Sequence, residues 1–129
     1  MTFADRDEAG RSLAEALLRY AGTDPIVLAP PRGGVPVAAQ VARVLGGQLD
    51  VCVVRKLGAP MEPELGIGAV AEGPAVIVER PIARMVGVDP IDLITHVKAQ
   101  LEEVRRRVDL FRGGRPFPDV RDRIVILVD

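Results

Sequence analysis

Pro25-Ile26-Val27-Leu28-Ala29-Pro30-Pro31-Arg32-Gly33-Gly34-Val35-Pro36-Val37-Ala38 is the stretch on which the fold turns. Its first five residues form a short apolar run with no polar face, which reads as a buried strand. Pro30-Pro31-Arg32-Gly33-Gly34 follows as a tight loop. A helix then runs from about Val35 to Leu45, with Pro36 suited to its first turn and Gly46-Gly47 to its exit. A strand that passes through a short glycine loop into a helix is the opening move of an α/β layer.

Upstream, Asp5 is placed to cap a helix, with Glu8 three residues on as in a capping box. Ala9, Leu13, Ala14, Leu17 and Leu18 recur at helical spacing, and Gly22 ends that helix. Downstream, Leu49 to Val54 is a second apolar strand broken only by Asp50, and Arg55 to Pro60 reads as a loop after it. Met61 to Val78, with Gly66, Gly68, Gly73 and Pro74 among apolar residues, reads as two short strands joined by a turn. A short helix is expected near Pro81 to Val86. Asp89 and Pro90 then open the longest helix as cap and first turn. Its stripe is Ile91, Ile94, Val97, Leu101, Val104, Val108 and Phe111, and Gly113-Gly114 stops it. Ile124 to Val128 is the most hydrophobic strand, and Asp129 follows it. Apolar strands separated by helices indicate an α/β class with a mainly parallel sheet flanked by helices. Residues 1–129 read as one unit, the first part of a larger domain, because the last strand needs helices on both faces.

The 129 residues carry 17 Lys plus Arg against 18 Asp plus Glu, for a formal charge of −1. There is no global basic field to draw the chain to nucleic acid or anionic lipid. Hydrophobic residues make up 48% and charged residues 27%, a globular balance that excludes a disordered chain. One Cys and one His cannot build a disulfide framework, a Cys-based zinc site or a His-rich metal site. No apolar run approaches the ~20 residues that span a bilayer. The polar start MTFADRDEAGR has no signal-peptide pattern, so a cytoplasmic location is expected.

Chemistry is expected in three places. In Arg32-Gly33-Gly34, backbone N–H groups at a helix N-terminus and a guanidinium fork suit a phosphate or pyrophosphate. Read alone, the two glycines are more simply a sharp βα turn, with Arg32 solvated. Arg55 and Lys56 come just past the next strand, and ligands of open parallel sheets bind outside the strands' carboxyl ends; alone they read as a solvated loop. Asp129 adds a carboxylate at the same sheet edge. Arg105, Arg106, Arg107, Arg112 and Arg115 read as the solvated end of the long helix, where cations suit the dipole, rather than as a nucleic-acid face. Cys52 reads as a buried small hydrophobe and His96 as exposed. Gly66-Ile67-Gly68 lacks the third glycine of a dinucleotide fingerprint.

Taken in order, Val27 to Ala38, then Leu49 to Pro60 with its Arg55-Lys56-Leu57-Gly58-Ala59-Pro60, then Pro63 to Gly73, then Ile124 to Asp129, this chain resembles the type I phosphoribosyltransferases. The resemblance spans nearly all of the sequence. It implies a Rossmann-like fold, here incomplete at the C-terminus, and transfer of 5-phosphoribosyl from 5-phosphoribosyl 1-pyrophosphate (PRPP) to a nitrogen base, with release of pyrophosphate and help from Mg²⁺. Positive groups at the departing pyrophosphate stabilise the transition state more than the ground state. By resemblance, Arg32, Gly33 and Gly34 form the pyrophosphate loop, in which the Pro31–Arg32 bond would be cis. Lys56, with Arg55 nearby, contacts the same group. The stretch from Met61 to Glu72, with Glu62 and Glu64, corresponds to a mobile covering loop. Asp129 is the first acid of the family's ribose- and metal-contacting pair. The second acid, the 5-phosphate loop and the base-reading region are not among these residues, so the 129-residue chain is expected to be inactive. The alternatives are a non-catalytic relative that binds a phosphorylated ligand, and a fragment that folds by association. An apolar last strand also leads us to expect a homo-oligomer.

Overall fold

The computed structural model describes residues 2–129. Residues up to Cys52 together with Arg115–Asp129 make one compact unit, and Val53–Gly114 makes a second.

The first unit is a parallel sheet with two helices. Helix α1 (Arg6–Ala16) starts as its sequence dictates: Asp5 Oδ1 accepts the Glu8 amide at 2.8 Å. The Glu8 carboxylate reaches back to the Ala4 amide at 2.5 Å, one residue beyond the capping-box position. A 3₁₀ turn (Leu18–Tyr20) leads to β1 (Ile26–Ala29), which is buried along its whole length. Helix α2 (Gly34–Leu45) ends on Gly46 in the left-handed conformation at φ 69°, and β2 (Gln48–Val51) follows. Strand β1 is central, pairing in parallel with β2 on one side and with β6 (Val125–Leu127) on the other. Ala14 of α1, Ala38, Val41, Ala42 and Leu45 of α2, and Val27, Ala29 and Val128 from the sheet form the core. Each fully buried Val or Leu there contributes roughly 1.5–3 kcal/mol.

The second unit is an antiparallel sheet under a long helix. Strands β3 (Val54–Ala59), β4 (Glu62–Ala71) and β5 (Ala75–Val78) pair in sequence order. Helix α3 (Arg80–Met85) follows, and then α4 (Pro90–Arg112), whose first turn is capped by Asp89 Oδ1 accepting the Ile91 amide at 2.8 Å. Val53, Leu57, Ala59, Ile67, Val70 and Val104 are its buried core, with Leu93, Val97, Leu101 and Val108 packed against them.

Several sequence expectations are corrected here. The apolar run Leu49 to Val54 is not one strand: β2 stops at Val51, and Val54 starts a strand of the other sheet. Apolar residues on either side of the break hid it. Arg55 to Pro60 is consequently mostly strand β3, not a loop. The segment taken as a covering loop, Met61 to Glu72, is for the most part the ten-residue strand β4. On α4, Ile91 and Ile94 are exposed and Leu93 takes their place, because the stripe drifts around a straight helix over 23 residues. Arg112 is not solvated; it is 4% exposed and bonded to Glu72. His96 and Cys52 are both half-buried. Ile126 of β6 and Val128 just past it turn into the core, while Val125 and Leu127, on the opposite face, are 41% and 66% exposed. Among the described residues no helix is long and apolar enough to cross a membrane.

Candidate functional site

In the first unit β1, the loop after it and the start of α2 are assembled against the end of β6. Leu28 pairs with Leu127, and Val128 N–H donates to Leu28 O at 2.8 Å, which sets Asp129 level with Pro30 at the carboxyl edge of the parallel sheet. Gly34 is buried where α2 begins, and a Cβ there would lie 3.1 Å from Val128 O and 3.3 Å from Ala29 Cβ. That glycine is needed so that the helix start can approach the last strand. Arg32-Gly33-Gly34 and Asp129 are therefore brought to one edge by backbone packing.

The loop's two glycines have different roles. The Gly34 amide is engaged, donating to Pro30 O at 3.3 Å, and the Val35 amide donates to Arg32 O at 3.1 Å. Gly33 is exposed in an ordinary right-handed conformation (φ −60°, ψ −37°), so no special backbone angle demands glycine. A Cβ at Gly33 would meet only Arg6 Nη2, at 3.9 Å, within 4 Å. The missing side chain leaves the Gly33 backbone open to a ligand. The Pro31–Arg32 peptide is cis.

Arg55 and Lys56 lie in the second unit, as neighbours on β3, so their side chains leave the backbone in opposite directions. Arg55 Nε donates to Gln100 Oε1 of α4 at 3.0 Å, and Lys56 Nζ donates to Glu64 O at 3.2 Å. Glu62 and Glu64 are exposed at the start of β4, beside the hairpin tip at Pro60 and Met61. Lys56 also lines a cleft of about 630 Å³ with Gly58, Pro60, Asp92, Thr95, His96 and Gln100. Sequence reading missed this cleft, because Asp92, Thr95 and His96 are i, i+3 and i+4 neighbours whose partner strand is more than 30 residues away.

Beneath the same sheet is a second polar feature that sequence reading missed. Glu72, just past β4, accepts from Arg112 Nη2 with both carboxylate oxygens and from the Val53 amide at 2.9 Å. Their side chains are 10% and 2% exposed. Nothing in the spacing of residues 40 apart signals such a pair.

Among the described residues no group of three or more His, Cys, Asp or Glu could cage a metal. A hard cation such as Mg²⁺ is held by one or two carboxylates plus phosphate oxygens and water, and the carboxylate of Asp129 at the edge of the Arg32-Gly33-Gly34 loop fits one such ligand.

The phosphoribosyl transferase domain family matches residues 5–129. Two Mycobacterium tuberculosis proteins, each named "Putative phosphoribosyl transferase" and coming from the strains CDC 1551 and H37Rv, are 42% identical over 127 residues. The match covers 98% of this chain but 29% of theirs. The crystal structure of TT1426 from Thermus thermophilus superimposes with a TM-score of 0.83 at 44% identity, over 100% of this chain and 61% of that one. The chain thus spans under a third of the curated relatives and about three fifths of the solved one. With a βα glycine loop, an acid at the end of the neighbouring strand, and the family matched over residues 5–129, this chain belongs to the phosphoribosyl transferase domain family.

Proposed function

We propose that these residues are the N-terminal part of a single phosphoribosyltransferase domain that moves 5-phosphoribosyl from PRPP to a nitrogen base and releases pyrophosphate. The observation that carries the reading is the shared sheet edge of the Arg32-Gly33-Gly34 loop and Asp129. The exposed Gly33 backbone and the Arg32 guanidinium receive the pyrophosphate, whose charge grows as its bond to the sugar breaks. The start of α2 adds its partial positive charge. Gly34 acts one step back, by letting the loop sit against β6. Asp129 is assigned to the ribose hydroxyls and would be the protein's ligand for Mg²⁺, which would supply charge neutralisation.

Lys56 and Arg55 are assigned, on the family resemblance, to binding an anionic group of the substrate, and the β3–β4 hairpin, with Glu62 and Glu64 beside its tip, to covering a substrate. The exposed run from Pro60 to Glu64 is what supports the latter assignment. The reading further includes a cytoplasmic, homo-oligomeric protein. Because Asp129 is the one member of the family's acidic pair in these residues, the 129-residue chain alone is expected not to turn over.

The test is release of pyrophosphate by the complete protein from PRPP and Mg²⁺ with a panel of purine, pyrimidine and other nitrogen bases. Base-dependent release is expected, falling by about 10²-fold or more in Arg32→Ala, the scale of losing one transition-state donor. Pyrophosphate binding with no turnover for any base would replace this reading with that of a non-catalytic phosphate-binding relative.

A further inference from the structure

Arg6 is a second guanidinium at the pyrophosphate loop, supplied by a different helix. Its position follows from helix packing. A Cβ on Gly10 would lie 2.8 Å from Val37 O and 2.7 Å from Gln40 Cβ, so α1 meets α2 there at the distance only a glycine allows. Gly10 and Ala14 are buried, four residues apart, and mark the face of α1 that lies on α2. Arg6 is one turn before Gly10 on that face, just as Gly33 is one turn before Val37. The same row of contacts therefore ends with Arg6 Nη2 over Gly33, 3.9 Å from where a Cβ would be.

Neither helix favours a cation at this point. Arg6 is the first residue of α1, where the helix dipole disfavours positive charge, and its guanidinium lies at the start of α2, where the dipole disfavours it again. Arg32 adds like charge next to Gly33. Asp5 caps α1 and Glu8 bonds the Ala4 amide, and Asp7, the other acid of the first turn, makes no ion pair with Arg6. Among the described residues Arg6 makes no ion pair. The Arg6 guanidinium and the start of α2 meet beside Gly33, a spot that suits an anion. We infer that Arg6 binds the pyrophosphate group of the substrate from the side opposite the loop backbone, as a binding residue beyond Arg32 and the glycines. This rests on the loop being the pyrophosphate cradle.

The test is calorimetric titration of inorganic pyrophosphate into the protein and into Arg6→Ala, Arg6→Gln, Arg6→Lys, Arg32→Ala and Arg11→Ala. Arg11 is exposed on another face of α1 and controls for net charge. Arg6→Ala and Arg6→Gln are each expected to weaken binding by about ten-fold or more, the scale of a charge-assisted hydrogen bond, with an unchanged melting temperature since the side chain is exposed. Arg6→Lys is expected to keep part of the affinity, and Arg11→Ala all of it. Wild-type affinity in Arg6→Ala, or an equal loss in Arg11→Ala, would overturn the inference. If Arg32→Ala still loses binding while Arg6→Ala does not, the loop reading stands and Arg6 alone is wrong. If the unaltered protein does not bind pyrophosphate, both fall.

Discussion

Glu72 and Arg112 show how one residue pair can matter more to this protein than its position suggests. The guanidinium is 4% exposed and the carboxylate receives both it and the Val53 amide, so the end of β4, the entry to β3 and the last turn of α4 meet at one point. Removing one member of a buried pair leaves the other desolvated with its counter-charge gone. Glu72→Ala is expected to destabilise the fold by roughly 3–5 kcal/mol in denaturant unfolding. A loss below about 1 kcal/mol, the worth of an exposed pair, would show the site to be open to water. At this scale the sequence was legible where chemistry is local: the Asp5 and Asp89 caps form as their spacing dictates. It was silent where partners are distant, and Arg112 was misread as solvated because a run of arginines at a helix end ordinarily is.

At the scale of elements, α4 joins a buried face to a charged one. Glu103 accepts from Arg106 and Arg107, and those hydrogen bonds, Arg106 first, hold its carboxyl down from the usual 4.5 to about 2. A carboxyl whose folded value is depressed stabilises the helix at any pH above 4.5, and the effect is lost as pH falls from there towards 2. Amide protection in the last turns of α4, taken relative to intrinsic exchange at each pH, is expected to fall over that window, and Glu103→Gln should remove this pair's share of the fall. Protection that stays flat between about pH 5 and 2 would show that the pair contributes nothing to the helix. The strands were harder to read than the helices. A strand break inside an apolar run leaves no mark, because residues of two adjoining strands are apolar for separate reasons. Hence β2 and β3 were merged, and Arg55 and Lys56 were placed in a loop when they sit within an antiparallel strand.

At the scale of the whole molecule, among residues 2–129 the order β2-β1-β6 puts β6 at a sheet edge, with Val125 and Leu127 exposed on one face. An unpaired edge with apolar side chains favours pairing with another copy. Light scattering of the 129-residue chain is expected to give a species larger than a monomer, reduced by Leu127→Glu; a monomer at high concentration would count against it. The sequence by itself determined the α/β class, both capped helices, the strand–glycine loop–helix corner and the family, since these depend on periodicity, caps and turns a few residues long. Only the tertiary structure decided that Gly34 is a packing contact with β6 while Gly33 opens the backbone, that Arg6 reaches the loop, and that Glu72 and Arg112 are buried together. Those facts depend on side chains 27 to 94 residues apart coming within a few ångströms, and no local pattern encodes a distance across the fold.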